Sequence, residues 1–119
     1  MNFITSEEEL KINNGICVLY FYTTWLIYHK KMMVMFNKVK DKYKDISYIG
    51  IDASHFKKIT SIYEVDSVPT VIVFNNGKEI NRLRGVCLTS AFRAFFDDIY
   101  SKVKEFGDKN GKKEDRRND

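Results

Sequence analysis

Cysteine and histidine are the side chains of this 119-residue sequence that could carry covalent or metal chemistry, and there are two of each. A cysteine thiolate attacks disulfide sulfur, and thiolate and imidazole groups are also common zinc ligands. His29 and His55 belong to different predicted helices, and no ligand-spacing motif surrounds either of them. We therefore predict no metal site and no cofactor. Cys17 and Cys87 remain as candidates for thiol chemistry, which depends on where the fold places them.

The apolar residues predict an alternating series of helices and strands. Residues 16–23 form a nearly unbroken apolar run, typical of a strand buried on both faces and therefore central in a sheet covered by helices. The Asn76-Gly77 step between two β-rich segments predicts a hairpin. The predicted elements are a short helix capped by Ser6 and Glu9, strand 16–23, helix 26–44, strand 46–51, a brief helix marked by Phe56, Ile59 and Tyr63, hairpin strands 71–74 and 79–83, and a helix capped by Thr89 or Ser90. This order is typical of an α/β sandwich.

Composition predicts one globular domain over residues 1–106, followed by a charged tail over 107–119 that has no apolar residue and is expected to be disordered. The formal charge of +4 would attract acidic partners weakly and falls short of a nucleic-acid-binding signature. No segment has the roughly 18 apolar residues of a membrane helix. The acidic start of the chain is not a signal peptide, so we expect a cytoplasmic protein with no nucleic-acid or membrane partner.

Several landmarks then occur in a characteristic order. They are the strand end Phe21-Tyr22-Thr23-Thr24-Trp25, Asp52 after the next strand, the step Val68-Pro69-Thr70, the turn Asn76-Gly77-Lys78, and Gly85 after the last strand. Over residues 16–103 this set resembles the thioredoxin family. The resemblance implies a three-layer α/β sandwich, in which helices flank a central mixed sheet, and a cis peptide bond before Pro69. It also implies an exposed edge beside that bond that holds an extended peptide, which Thr70 still permits.

The resemblance also shows what is missing. The family's motif is Trp-Cys-x-x-Cys-Lys, whereas residues 25–30 read Trp-Leu-Ile-Tyr-His-Lys, so Leu26 and His29 stand at the two cysteine positions. Disulfide exchange requires a thiolate, which neither residue supplies. Tyr20 stands where many members have a buried aspartate, and a phenol that titrates near 10 cannot replace it at neutral pH. We therefore do not expect disulfide oxidoreductase activity, and the sequence favours a protein that is not an enzyme.

The remaining cysteines do not restore a pair. In the resembling fold the central strand runs toward the active edge, so Cys17 lies about 20 Å from Thr23 at its far end, whereas Cys87 lies near that edge. An internal disulfide is not expected across such a distance. We interpret Cys17 as a small core residue. Cys87 is either structural or a lone reactive thiol.

The residues that replace the motif allow several interpretations. His29 could serve packing or capping, partner binding, or, with least support, catalysis. Trp25, Leu26, Ile27 and Tyr28 are large and apolar, and they could either bind a partner or fold back over the groove beside Pro69.

Two functions from different classes follow, and a third stays open. The leading hypothesis is a redox-inactive module that binds a protein or an extended peptide. The alternative is an atypical thioredoxin-family oxidoreductase in cell redox homeostasis that uses the single thiol of Cys87. A structural subunit of a larger assembly is the third, since fold alone does not separate these functions. The residues predicted to bind the partner are Trp25, Leu26, Ile27, Tyr28, His29, Val68, Pro69, Thr70 and Gly85.

Overall fold

The structure is a computed structural model that describes residues 1–12 and 14–118, with side chains described as far as Lys104. The chain forms two compact units, one over Met1–Cys87 and one over Leu88–Asp119. The elements of the first unit are β1 (Asn2–Phe3), a 3₁₀ helix (Glu7–Glu9), β2 (Ile16–Tyr22), α1 (His29–Lys42), β3 (Ser47–Asp52), α2 (Lys57–Ile62), β4 (Thr70–Asn75) and β5 (Lys78–Arg84). The second unit contains α3 (Thr89–Asn118).

The five strands form one mixed sheet in the order β1-β3-β2-β4-β5. β1, β3 and β2 are parallel, whereas β4 is antiparallel to both β2 and β5. β2 is central and buried except at its last residue, as its apolar run predicts. The register pairs Phe21 with Thr70 and Thr70 with Arg84, so the end of β2, the start of β4 and the end of β5 lie along one edge of the sheet.

Successive residues of β2 point to opposite faces of the sheet, and a helix covers each face. On one face Leu19 and Phe21 belong to a core cluster with Ile59 of α2. On the other face the Tyr20 ring packs against Phe36 of α1, with 5.0 Å between ring centroids. The first unit therefore has the helix–sheet–helix layering that the sequence predicts.

The N-terminal segment differs from the prediction in two details. β1 was not predicted, and it fits beside β3 because the Phe3 ring occupies the space that a Cβ atom at Gly50 would take. The short helix is a 3₁₀ helix, and Thr5 rather than Ser6 completes its capping contact. The Glu9 carboxylate accepts hydrogen bonds from the Thr5 amide at 2.6 Å and from the Thr5 hydroxyl at 2.8 Å.

The second unit begins where the sequence predicts a helix, with Thr89 as the first residue of α3. Phe92 and Phe96 are buried, and their ring centroids are 5.1 Å apart. The backbone of α3 is helical to Asn118, through a segment that composition predicts to be a disordered tail. The Lys, Glu and Arg residues of this segment favour a helix but its Gly, Asp and Asn residues do not, so composition alone does not explain the helical backbone. Among the described residues, no helix combines the length and the apolar character needed to cross a membrane.

Candidate functional site

The link between β2 and α1 contains the residues that stand at the cysteine positions. The Leu26 amide donates to the Thr23 carbonyl, and the His29 amide donates to the Leu26 carbonyl, each at 3.1 Å. These are successive turns, so α1 begins at His29 and ends at Lys42, whereas apolar spacing predicts a helix over 26–44. His29 is thus the first residue of the helix.

The His29 side chain packs within an aromatic group that we call the His29 cluster, formed by Phe3, Tyr20, Tyr22 and His29. The Tyr20 hydroxyl lies 2.9 Å from His29 Nδ1, within hydrogen-bond distance. The Tyr22 ring stacks on the imidazole with 4.7 Å between centroids, and Phe3 meets it edge-on at 6.3 Å. The imidazole therefore joins the start of α1 to β2 and β1, as expected of a packing residue.

Burial keeps the His29 cluster uncharged. It raises the pKa of Tyr20 and Tyr22, in the second case with help from the negative charge of Asp52. Burial also lowers the pKa of His29. At neutral pH the phenols therefore keep their protons, and the Tyr20 hydroxyl can donate its hydrogen to Nδ1 of a neutral imidazole.

The residues just before α1 are exposed to solvent. The exposed fraction is 71% for Trp25, 88% for Ile27 and 50% for Tyr28, and we call these three residues the apolar patch. Leu26, between them, is half-buried. Exposure of this extent does not fit side chains folded back over a neighbouring groove, the alternative that the sequence left open. Large apolar groups in solvent are typical of interaction surfaces.

The segment around Pro69 lies at the same edge of the sheet. The Val68–Pro69 peptide bond is cis, Pro69 and Thr70 are buried, and Val68 is half-buried. The Thr70 hydroxyl donates to the Ser67 carbonyl at 2.7 Å, and the Gly85 amide donates to the Pro69 carbonyl at 2.9 Å. Gly85 has a φ of +83°, a conformation that favours glycine. Of the residues predicted to bind a partner, Pro69 and Gly85 are thus joined directly, and Thr70 lies beside the end of β2 that leads to residues 25–29.

The two cysteines form no disulfide bond with one another. Cys17 is completely buried near the start of β2, at the end opposite Tyr22. Cys87 is half-buried just after β5, and its burial raises the thiol pKa more than the positive charge of Lys31 lowers it. The Cys87 side chain is therefore mainly the protonated thiol, not the thiolate, at neutral pH. In the described part of the chain, no three His, Cys, Asp or Glu side chains come together as metal ligands would.

Sequence reasoning missed two members of the His29 cluster. The two are Tyr22 and Phe3. Tyr22 could have been found from its spacing to Tyr20, because alternate residues of a strand share a face. Phe3 gave no signal, since a strand of two residues is too short to show periodicity.

Comparison with known proteins agrees with this architecture. The thioredoxin family model matches residues 3–98. This chain belongs to the thioredoxin family. It is 33% identical over 88 residues to a thioredoxin of Mycoplasmoides gallisepticum, which covers 71% of this chain and 88% of that protein. It is 28% identical over 79 residues to thioredoxin-2 of Saccharomyces cerevisiae, covering 66% of this chain and 76% of that one.

Solved structures show the same thioredoxin fold. The structure of Plasmodium falciparum thioredoxin superposes with a TM-score of 0.74 at 21% identity, covering 82% of this thioredoxin-family chain and 98% of that one. The oxidized form of mitochondrial thioredoxin 3 from Saccharomyces cerevisiae gives a TM-score of 0.65 at 26% identity, covering 71% and 79%. The predicted fold class and family are confirmed.

Proposed function

We propose that this thioredoxin-family protein is a redox-inactive module that binds a protein or an extended peptide at the edge formed by the apolar patch and the Pro69 segment. One observation carries the proposal. At the two positions where the family places its cysteines, the chain has Leu26 in the link before α1 and His29 as the first residue of α1, and the exposed apolar patch lies beside them.

The His29 contacts argue against a hidden redox role for this position. Disulfide exchange needs an accessible thiolate that can form a mixed disulfide. Here the imidazole is held by the Tyr20 hydroxyl and stacked on the Tyr22 ring. The relatives are named thioredoxins, but their chemistry requires an atom that these two positions lack.

The apolar patch supports binding. Tryptophan and tyrosine are enriched among the residues that dominate interface energies, because their large rings lose much exposed area when a partner covers them. The adjacent Pro69 segment offers a buried, hydrogen-bonded base beside which an extended peptide could lie. The Cys87 alternative has less support, since its half-buried thiol has a raised pKa and so yields little thiolate at neutral pH.

Affinity capture followed by a quantitative binding assay on the recovered partner tests the binding role. We expect Trp25→Ala and Ile27→Asp each to weaken binding about 30-fold or more, as for a central interface residue. Ile62→Asp is the matched control, because Ile62 is also an exposed isoleucine (64%) but lies at the end of α2. Equal affinities of Ile27→Asp and Ile62→Asp would refute the proposed surface.

Insulin-disulfide reduction with a dithiol reductant tests the redox half of the proposal. We expect no acceleration over the reductant alone, for the wild type and for Cys87→Ser. Acceleration by the wild type that disappears in Cys87→Ser would establish the single-thiol alternative instead.

A further inference from the structure

Three cationic side chains lie close to the apolar patch in the chain or in the sheet, two in the first turn of α1 and one at the end of β5. Lys30 and Lys31 follow His29 in the first turn of α1, and Arg84 ends β5 in register with Thr70. Lys31 is close enough to Cys87 to lower its thiol pKa, so the first turn of α1 and the segment after β5 lie near each other. All three cations are exposed, and none forms an ion pair with another described residue.

The contacts of three acidic side chains bear on this positive charge. Asp52 Oδ1 accepts hydrogen bonds from the Ser54 amide at 3.0 Å and the Ser54 hydroxyl at 2.6 Å. Asp66 lies toward Arg82, whose guanidinium pKa it helps to raise. Glu79 holds the same guanidinium through two hydrogen bonds of 2.7 and 2.8 Å. Asp66 and Glu79 thus act on Arg82, and Glu79 also acts on Arg84, whereas Lys30 and Lys31 form no ion pair within the described part of the chain.

We infer that the partner segment bound here is acidic, with apolar side chains on the apolar patch and carboxylates beside Lys30, Lys31 and Arg84. This inference rests on the proposed function, because it specifies the partner of the same surface. Complementary charge at the rim of an interface adds selectivity and association rate, and it excludes basic segments by repulsion. The apolar patch supplies affinity, and the cations select the partner.

Three dye-labelled synthetic peptides test the inference by fluorescence anisotropy. Each has a central Val-Phe-Val core, and the core is flanked on both sides by two glutamates, two glutamines or two lysines. Each exposed ion pair contributes only a fraction of a kcal/mol, but several pairs together should make the glutamate peptide bind about 10-fold more tightly than the glutamine peptide. The lysine peptide should bind most weakly, because like charges repel. Raising the salt concentration to about 0.5 M should nearly abolish these differences, because it shortens the screening length to a few ångströms.

Charge reversal locates the selectivity. The triple variant Lys30→Glu, Lys31→Glu, Arg84→Glu should reverse the order of the peptides, and single reversals should shift it in the same direction if the triple variant does not fold. The control reverses three exposed lysines outside this edge, Lys11, Lys38 and Lys44, and should keep the wild-type order.

The outcomes separate this inference from the proposed function. Equal binding of the three peptides, lost together in Trp25→Ala, would overturn the acidic partner and leave the binding surface intact. Reversal of the peptide order by the control variant would overturn the assignment of the three cations. Failure of every peptide to bind in a Trp25-dependent manner would overturn both proposals.

Discussion

Replacing Tyr20 with phenylalanine tests whether His29 is fixed as the structure indicates. Tyr20→Phe removes one oxygen atom and leaves the ring, whose centroid lies 5.0 Å from that of Phe36 and 5.4 Å from that of Tyr22. The substitution therefore removes the hydrogen bond to His29 Nδ1 with little change in packing. Its effect on stability measures that bond.

The size of the effect follows from the surroundings of the bond. A typical hydrogen bond contributes a net 0.5–1.5 kcal/mol, and His29 is half-buried, so water can partly replace the lost partner. We expect the free energy of unfolding to fall by about 1 kcal/mol, or the melting temperature by about 4 °C for a domain of this size. Removing the whole ring in Tyr20→Ala should cost about 3–5 kcal/mol, because Tyr20 is completely buried.

Urea denaturation of a double-mutant cycle isolates the bond. Tyr20→Phe and His29→Ala, alone and combined, should show a coupling free energy of about 1 kcal/mol. Tyr48→Phe is the matched control, since its hydroxyl donates to the Tyr43 carbonyl at 3.2 Å rather than to His29, and we expect it to be additive with His29→Ala. Coupling near zero for Tyr20, or equally strong for Tyr48, would show that the His29 cluster is not held as described.

Three further predictions concern the motif positions and the thiol. In Leu26→Cys with His29→Cys, mild oxidation should form an internal disulfide, because the Leu26 carbonyl accepts from the His29 amide at 3.1 Å, and such a turn brings its end Cα atoms within about 7 Å. Non-reducing mass spectrometry detects the bond, and its absence would contradict the turn. Cys87 should be alkylated by iodoacetamide more slowly than glutathione at pH 7.5, since burial raises its pKa; a faster rate, lost in Cys87→Ser, would contradict this. The lowered pKa of His29 means that the unfolded chain, with a histidine pKa near 6.5, takes up the proton first. The free energy of unfolding should therefore fall as the pH drops below about 6.5 and level off once the folded imidazole is protonated. Urea titrations from about pH 5 to 8 should show a weaker dependence in His29→Gln than in the His55→Gln control.

Sequence patterns predicted the sheet well where burial leaves a clear signal. The apolar run of β2 indicates a strand buried on both faces, and the structure has β2 at the centre of five strands. The Asn76-Gly77 step marks the hairpin of β4 and β5 because both residues adopt positive φ there. β1 could not be predicted from its own sequence. Its pairing with β3 requires a residue without a Cβ atom at position 50, where the Phe3 ring lies, and that residue is distant in the chain.

The site was predicted by position but not in its geometry. Family resemblance placed Leu26 and His29 at the cysteine positions, yet periodicity extended the helix back to Leu26 because apolar side chains continue through Ile27. Hydrogen bonds decide that boundary, and they form turns before His29. Whether the apolar patch is covered or exposed also lies beyond the pattern, since hydrophobicity gives the same signal for a core residue and an interface residue.

The changes at the motif positions are connected through the His29 cluster. A cysteine at position 29 could not make the ring contacts that His29 makes with Tyr20 and Tyr22, and an aspartate at position 20 would leave an uncompensated charge at a completely buried site. The aromatic residues of the His29 cluster therefore belong together as a set, and they join the first residue of α1 to the central strand. A helix start that is held in this way presents the apolar patch on a turn that needs little ordering when a partner binds. Less ordering leaves more of the contact energy for affinity. Under the proposed function, the packing of the His29 cluster would therefore favour this edge as a binding surface.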